Sequence, residues 1–210
     1  MSEPTIFLPG ILMPGALRYT PLLAALGDAA RPVVKELEVY RSEPDIPGDH
    51  SIELEVRGLE RVADEAGFDR FHLYAHSGGG AVALAYTAVH GNRVLSLAVD
   101  EPACDFSPEG LEEIRSSFLP MLDLPTDGMM KAFLGMQLRE GTPLPPPPQP
   151  APPWMASRPA GIRAFVRALA SSSVPVERLS EFSGPGLLLV RKPQQRELDR
   201  DARSAVEALP

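Results

Sequence analysis

Short apolar runs alternate with amphipathic stretches through the first hundred residues of the chain. Residues 5–8 (Thr-Ile-Phe-Leu) read as a buried strand stopped by the turn pair Pro9-Gly10. Over 19–30, Leu22, Leu23, Leu26 and Ala30 share one side of a predicted helix, and 32–40 is strand-like before a loop rich in Pro, Gly and Asp at 41–50. Ile52, Val56, Leu59, Ala63 and Ala66 then keep helical spacing. Ser51 is placed to cap that helix, and Glu53 and Glu55 in its first turn suit the helix dipole. Strand 70–75 leads into helix 77–89, and strand 94–99 ends at Asp100-Glu101. Strands alternating with helices in this way predict an α/β protein with a mostly parallel sheet covered on both faces.

The rhythm stops near residue 105. Residues 108–139 read as two helices, 144–153 as a stiff polyproline stretch, and 159–170 as a helix with Ile162, Phe165, Val166 and Leu169 aligned. Sheet character returns at 186–190, followed by an amphipathic stretch at 197–209 through Leu198, Ala202, Ala205, Val206 and Leu209. The organisation expected is therefore a core at 1–104, an inserted helical, proline-rich cap at 105–180, and a continuation of the core at 181–210. In the cap, Phe118, Leu119, Met121, Met129, Met130, Phe133 and Met136 offer either ordinary core or the lining of an acyl-sized pocket.

Composition narrows the function classes. With 210 residues, 44% hydrophobic and 23% charged, the chain has enough apolar material for one globular core. A net charge of -8 argues against nucleic acid and anionic membranes as partners. The single cysteine, Cys104, excludes an intrachain disulfide, and four scattered histidines show no metal-ligand spacing, so no metal is expected. No signal peptide or membrane-length apolar run is seen, which makes a cytoplasmic location the expectation.

The candidate chemistry lies in Ala75-His76-Ser77-Gly78-Gly79, at the junction of a predicted strand and a predicted helix. Small residues two before and two after a serine let strand and helix backbones approach closely, and the sharp turn exposes the hydroxyl. Ser77 is the candidate nucleophile, with the Gly78 N–H as one oxyanion donor; the plainer alternative is a serine that merely caps the helix. A rival reading takes Gly78-Gly79-Gly80-Ala81-Val82-Ala83 with Asp100 as a dinucleotide-binding fingerprint. That fingerprint usually opens its fold, whereas here a strand-helix-strand unit and a second helix precede it.

These motifs, in this order, resemble the α/β-hydrolase superfamily, and the resemblance covers nearly the whole chain. It implies that Pro9-Gly10 matches the family's His-Gly turn, with Ile11 after Gly10 giving the second oxyanion N–H. It places the triad acid at Asp100 or Glu101, because the loop after 186–190 begins with bases and its first acids, Glu197 and Asp199, come late. A last strand and helix carrying the catalytic histidine would follow in the family, but the sequence stops at Pro210. None of the four histidines replaces it: His76 adjoins Ser77 and shapes the pocket, His72 lies within a strand, and His50 sits on a loop facing solvent. His90 ends a helix roughly 20 Å from Ser77 by the helical rise. The resemblance thus implies hydrolysis of a small ester, lactone or related acyl compound without a cofactor, impaired by the missing base. The alternative is a hydrolase-like scaffold that binds without turnover. Absence of the last strand would leave Leu187, Leu188 and Leu189 on an open sheet edge, inviting a homodimer.

Overall fold

The computed structural model describes residues 2–42, 45–46, 48–138 and 142–189. Five strands make one parallel sheet in the order β2-β1-β3-β4-β5: β1 (Glu3–Leu8), β2 (Ala30–Val34), β3 (Phe71–His76), β4 (Val94–Asp100) and β5 (Gly186–Leu189). Helix α1 (Gly15–Leu26) carries the chain from β1 to β2 on one side; α2 (Ile52–Glu65) and α3 (Gly78–His90) carry it back in the opposite direction. Right-handed crossovers therefore set α1 on one face and α2 with α3 on the other. The mostly parallel sheet with flanking helices is as predicted from the sequence. The predicted helix at 197–209, with Glu197 and Asp199, lies outside the described residues.

Two predicted elements change. Helix α1 starts before residue 19 because the Pro14 carbonyl accepts the Leu17 and Arg18 N–H groups at 3.1 and 3.0 Å. It ends at Gly27, whose φ of 51° suits a residue without a Cβ, and Ala30 passes into β2. The strand expected over 32–40 stops at Val34, despite the β-favouring residues Val39 and Tyr40. The cause is charge. Lys35 Nζ bonds the Glu36 carbonyl at 2.9 Å and pairs with Glu38 Oε1 at 3.2 Å, while Glu36 Oε2 accepts the Gly15 N–H at 2.9 Å. These contacts draw the chain out of the sheet, and Glu38–Tyr40 closes a 3-10 turn.

Helix α2 is capped as its sequence suggests, Ser51 Oγ accepting the Leu54 N–H at 3.2 Å. Helix α3 is buried all round from Gly78 to Ala88, between the sheet, α2 and the turn Val176–Glu181. Between β4 and β5 lie α4 (Pro108–Glu113), a π-helical turn (Ile114–Phe118), a 3-10 turn (Pro120–Asp123), α5 (Thr126–Met136) and α6 (Arg158–Ser171). Proline at 120 and 125 interrupts what would otherwise be longer helices. Of the apolar stripe, Met121, Met129 and Phe133 are core, while Phe118, Leu119, Met130 and Met136 are partly buried against it. No helix among the described residues is long and apolar enough to cross a membrane.

Candidate active site

Ser77 stands where β3 becomes α3, with φ 50° and ψ -118°. A non-glycine residue is held at positive φ only when its surroundings over-determine it. Here they do. The Ser77 N–H donates to the Asp100 carbonyl at 2.9 Å, and the Ser77 carbonyl accepts from Ala81 and Ala103 at 3.1 and 3.0 Å. The Gly79 N–H donates to the Pro9 carbonyl at 3.1 Å. A Cβ at 79 would lie 2.4 Å from that same oxygen, so only glycine lets α3 meet the end of β1. The Ser77 side chain makes no capping bond, which separates it from an ordinary helix-capping serine such as Ser51.

Gly10 brings the β1 turn onto this elbow: a Cβ there would sit 3.1 Å from His76 Cδ2 and 3.2 Å from Ser77 Cβ. Ile11 follows it, and a Cβ at Gly78 would be 3.5 Å from Ile11 Cβ. Among the described residues, neither the Ile11 nor the Gly78 N–H donates a hydrogen bond. The structure therefore brings Gly10, Ile11, His76, Ser77 and Gly78 together, as two unused backbone donors beside an uncapped hydroxyl.

The acids lie at the end of β4. His76 Nδ1 is 3.0 Å from Asp100 Oδ2, and the Arg18 guanidinium approaches the same oxygen at 3.5 Å. Glu101, at φ 50°, donates its N–H to the Leu189 carbonyl at 2.8 Å, and its carboxylate stands within 4.8 Å of the His76 and Asp100 polar atoms. Three such groups would suit a small cation, but the Arg18 charge at Asp100 opposes one. Burial, then the Arg18 charge, pull the His76 imidazole below its ordinary range against the opposing pull of Asp100. His76 is thus a neutral ring at neutral pH, with one nitrogen committed to Asp100.

The other histidines lie elsewhere. His72 Nδ1 is satisfied by Ser96 Oγ at 2.7 Å, and His90 stacks on Tyr86 with ring centroids 4.9 Å apart. The expectation that His50 faces solvent is wrong: its side chain is buried, with Nε2 3.2 Å from Glu55 Oε1. The cause is the buried Glu55 carboxylate, which needs every partner it can gather. It accepts the Glu38 and Val39 N–H groups at 2.8 and 3.1 Å and stands 3.6 Å from Lys35 Nζ. Burial alone would raise the Glu55 carboxyl; His50, Lys35 and the Glu38 N–H outweigh it and hold it low.

Three residues border the site without having been singled out for it by sequence. Phe165 of α6 lies against Gly78, its Cε1 3.2 Å from where a Cβ would be. Tyr40 donates its hydroxyl to the Ile11 carbonyl at 2.8 Å. Arg18 reaches Asp100 from α1. Only Phe165 left a trace in the sequence, as one of the aligned apolar positions of its helix.

No family model and no curated protein sequence matches the chain. Solved structures do. A thermophilic esterase from Thermogutta terrifontis aligns over 100% of this chain and 79% of its own, at 20% identity and TM-score 0.70. A carboxylesterase structure from the ammonia-oxidizing thaumarchaeon Nitrososphaera gargenis aligns over 100% and 79%, at 16% identity and TM-score 0.72. MenH from S. aureus aligns over 99% and 82%, at 18% identity and TM-score 0.72. The chain has the α/β-hydrolase fold.

Proposed function

We propose that this protein is a serine hydrolase of small esters, lactones or related acyl compounds, with Ser77 as its nucleophile. The observation that carries the reading is Ser77 itself: a hydroxyl at positive φ, without a capping bond, beside two unused N–H donors. In the reaction, Ser77 Oγ attacks the acyl carbon while its proton leaves to a water molecule, which returns a proton to the departing alcohol. The carbonyl oxygen gains charge as the carbon becomes tetrahedral, and the Gly78 and Ile11 N–H groups are placed to bind it. Collapse expels the alcohol, which takes up a proton, and water then releases the acyl group from Ser77.

Asp100 is the favoured acid because its Oδ2 lies 3.0 Å from His76 Nδ1. Ser77 Oγ has no hydrogen-bond partner among the described residues. Turnover by these residues therefore rests on the elbow and the oxyanion donors. This is the slow regime that remains when a triad is incomplete, still well above the uncatalysed reaction. The unpartnered hydroxyl also favours a second reading, a hydrolase-like scaffold that binds acyl compounds without turnover.

A fluorophosphonate serine probe separates the two. Under the hydrolase reading, intact mass shows one adduct, lost in Ser77→Ala. A folded protein that takes no adduct is the binding scaffold.

A further inference from the structure

We infer that Tyr40 is a positioning residue for the oxyanion loop, tying the Ile11–Leu12 peptide, on the C-terminal side of the Ile11 donor, to helix α6. The inference rests on the reading of Ile11 as an oxyanion donor. Ile11 sits in an irregular loop between Gly10 and Pro14, outside the β1 ladder, so no regular hydrogen bonding fixes how its peptide is turned. A donor that must meet a developing charge has to be fixed beforehand, because a peptide free to rotate reorganises at the moment of reaction. The Tyr40 hydroxyl supplies a restraint one peptide on: from a buried position it donates to the Ile11 carbonyl, which belongs to the Ile11–Leu12 peptide and so anchors the backbone from which the Ile11 N–H extends.

Tyr40 can serve because it is itself immobilised from two sides. Below, the buried Glu55 carboxylate holds the Glu38 and Val39 N–H groups, and the Tyr40 N–H donates to the Leu37 carbonyl at 3.0 Å. Above, the Arg158 guanidinium lies 3.6 Å from the ring centroid. Gly161 lets the α6 backbone rest on the ring; a Cβ there would fall 2.1 Å from Cε1 and 2.5 Å from the hydroxyl oxygen. Arg158, Gly161 and Phe165 follow helical spacing along one face of α6. That face therefore meets Tyr40, behind Ile11, and also Gly78. Both donors are braced by the same cap helix, so a shift of α6 moves the oxyanion site with it.

A buried tyrosine hydroxyl also needs a partner for stability alone, and the test must distinguish that role. Tyr40→Phe keeps the ring under Arg158 and Gly161 and removes the hydroxyl that bonds the Ile11 carbonyl. Backbone 15N relaxation is read on the labelled wild type and on Tyr40→Phe. The expected result is a fall in the order parameters of Leu12, whose N–H shares the released peptide, and of Ile11 beside it, from about 0.85 to below about 0.6, with Gly78 and α6 unchanged. In parallel, the fluorophosphonate inactivation rate at saturating probe should drop about tenfold while the half-saturating concentration stays put, as for a loss confined to the reacting state.

Unchanged Leu12 and Ile11 order parameters overturn the proposal. So does a fall spread through β1 and α6, which would mark a general stabilising bond, or an unaltered inactivation rate in a labelled wild type. If Leu12 and Ile11 alone loosen but the wild type takes no probe, Tyr40 positions the loop and the hydrolase reading of Ser77 is what fails.

Discussion

The two sides of Ser77 are built differently. On the oxyanion side, backbone meets backbone: Gly79 N–H to Pro9, Ser77 carbonyl to Ala103, and Gly10 against the elbow itself. On the acid side, side chains reach across from separate elements, with His76, Asp100, Glu101 and Arg18 sharing one small space. The first arrangement is set by the hydrogen-bond needs and close approach of main chains, which tolerate little variation. The second is a set of charged and polar side chains, in which Asp100 pairs with His76 and, among the described residues, none bonds Ser77 Oγ.

The comparison makes unequal demands on individual residues. Phe165, almost wholly buried between α6 and Gly78, should cost most: Phe165→Ala is expected to destabilise by about 3–5 kcal/mol in urea unfolding, the range for emptying an aromatic core site. A cost under about 1 kcal/mol would mean that α6 does not lean on the turn at Gly78. Gly79→Ala should cost about 3 kcal/mol, because the added methyl meets the Pro9 carbonyl rather than a yielding side chain. An unaltered unfolding midpoint in that variant would show that the elbow can relax where backbone contacts forbid it.

On the acid side the expected effect is smaller and depends on pH. The folded state holds His76 below its ordinary pKa, so the unfolded chain takes up this proton first as pH falls. Its contribution is present above about pH 6.5 and is lost below it. His76→Asn should therefore lose less stability than the wild type between about pH 7.5 and 5.5, in paired urea titrations. Equal slopes would remove His76 from the account. The smallest effect concerns association. Leu187 and Leu189 of β5, the outermost strand on that side among the described residues, are 54% and 44% exposed, and we propose that this strand pairs with a second copy. Light scattering should show association at high protein concentration, weakened by lysine at both positions; a monomer throughout would refute it.

How much of this could be read from the chain follows the same division. The parallel sheet, the Ser51 cap and the elbow at Ser77 were legible because each depends on residues close in sequence. Glycines, prolines and apolar period act within a few positions. The strand expected over 32–40 was misread because Lys35, Glu36 and Glu38 find partners on α1 and α2, beyond any local window. The burial of His50 was not legible because Glu55, although only five residues on, is itself buried by partners from residues 35–39.

By itself, then, the sequence determined that a serine stands on a strained turn between a buried strand and a buried helix, and that a Pro-Gly turn is available beside it. Tertiary structure alone decided which acid meets which histidine, that Tyr40 holds Ile11, and that Phe165 closes over Gly78. The physical reason is range. Backbone conformation is set by steric limits that each residue carries with it, whereas a side chain's partner is chosen only when distant elements come within hydrogen-bond reach.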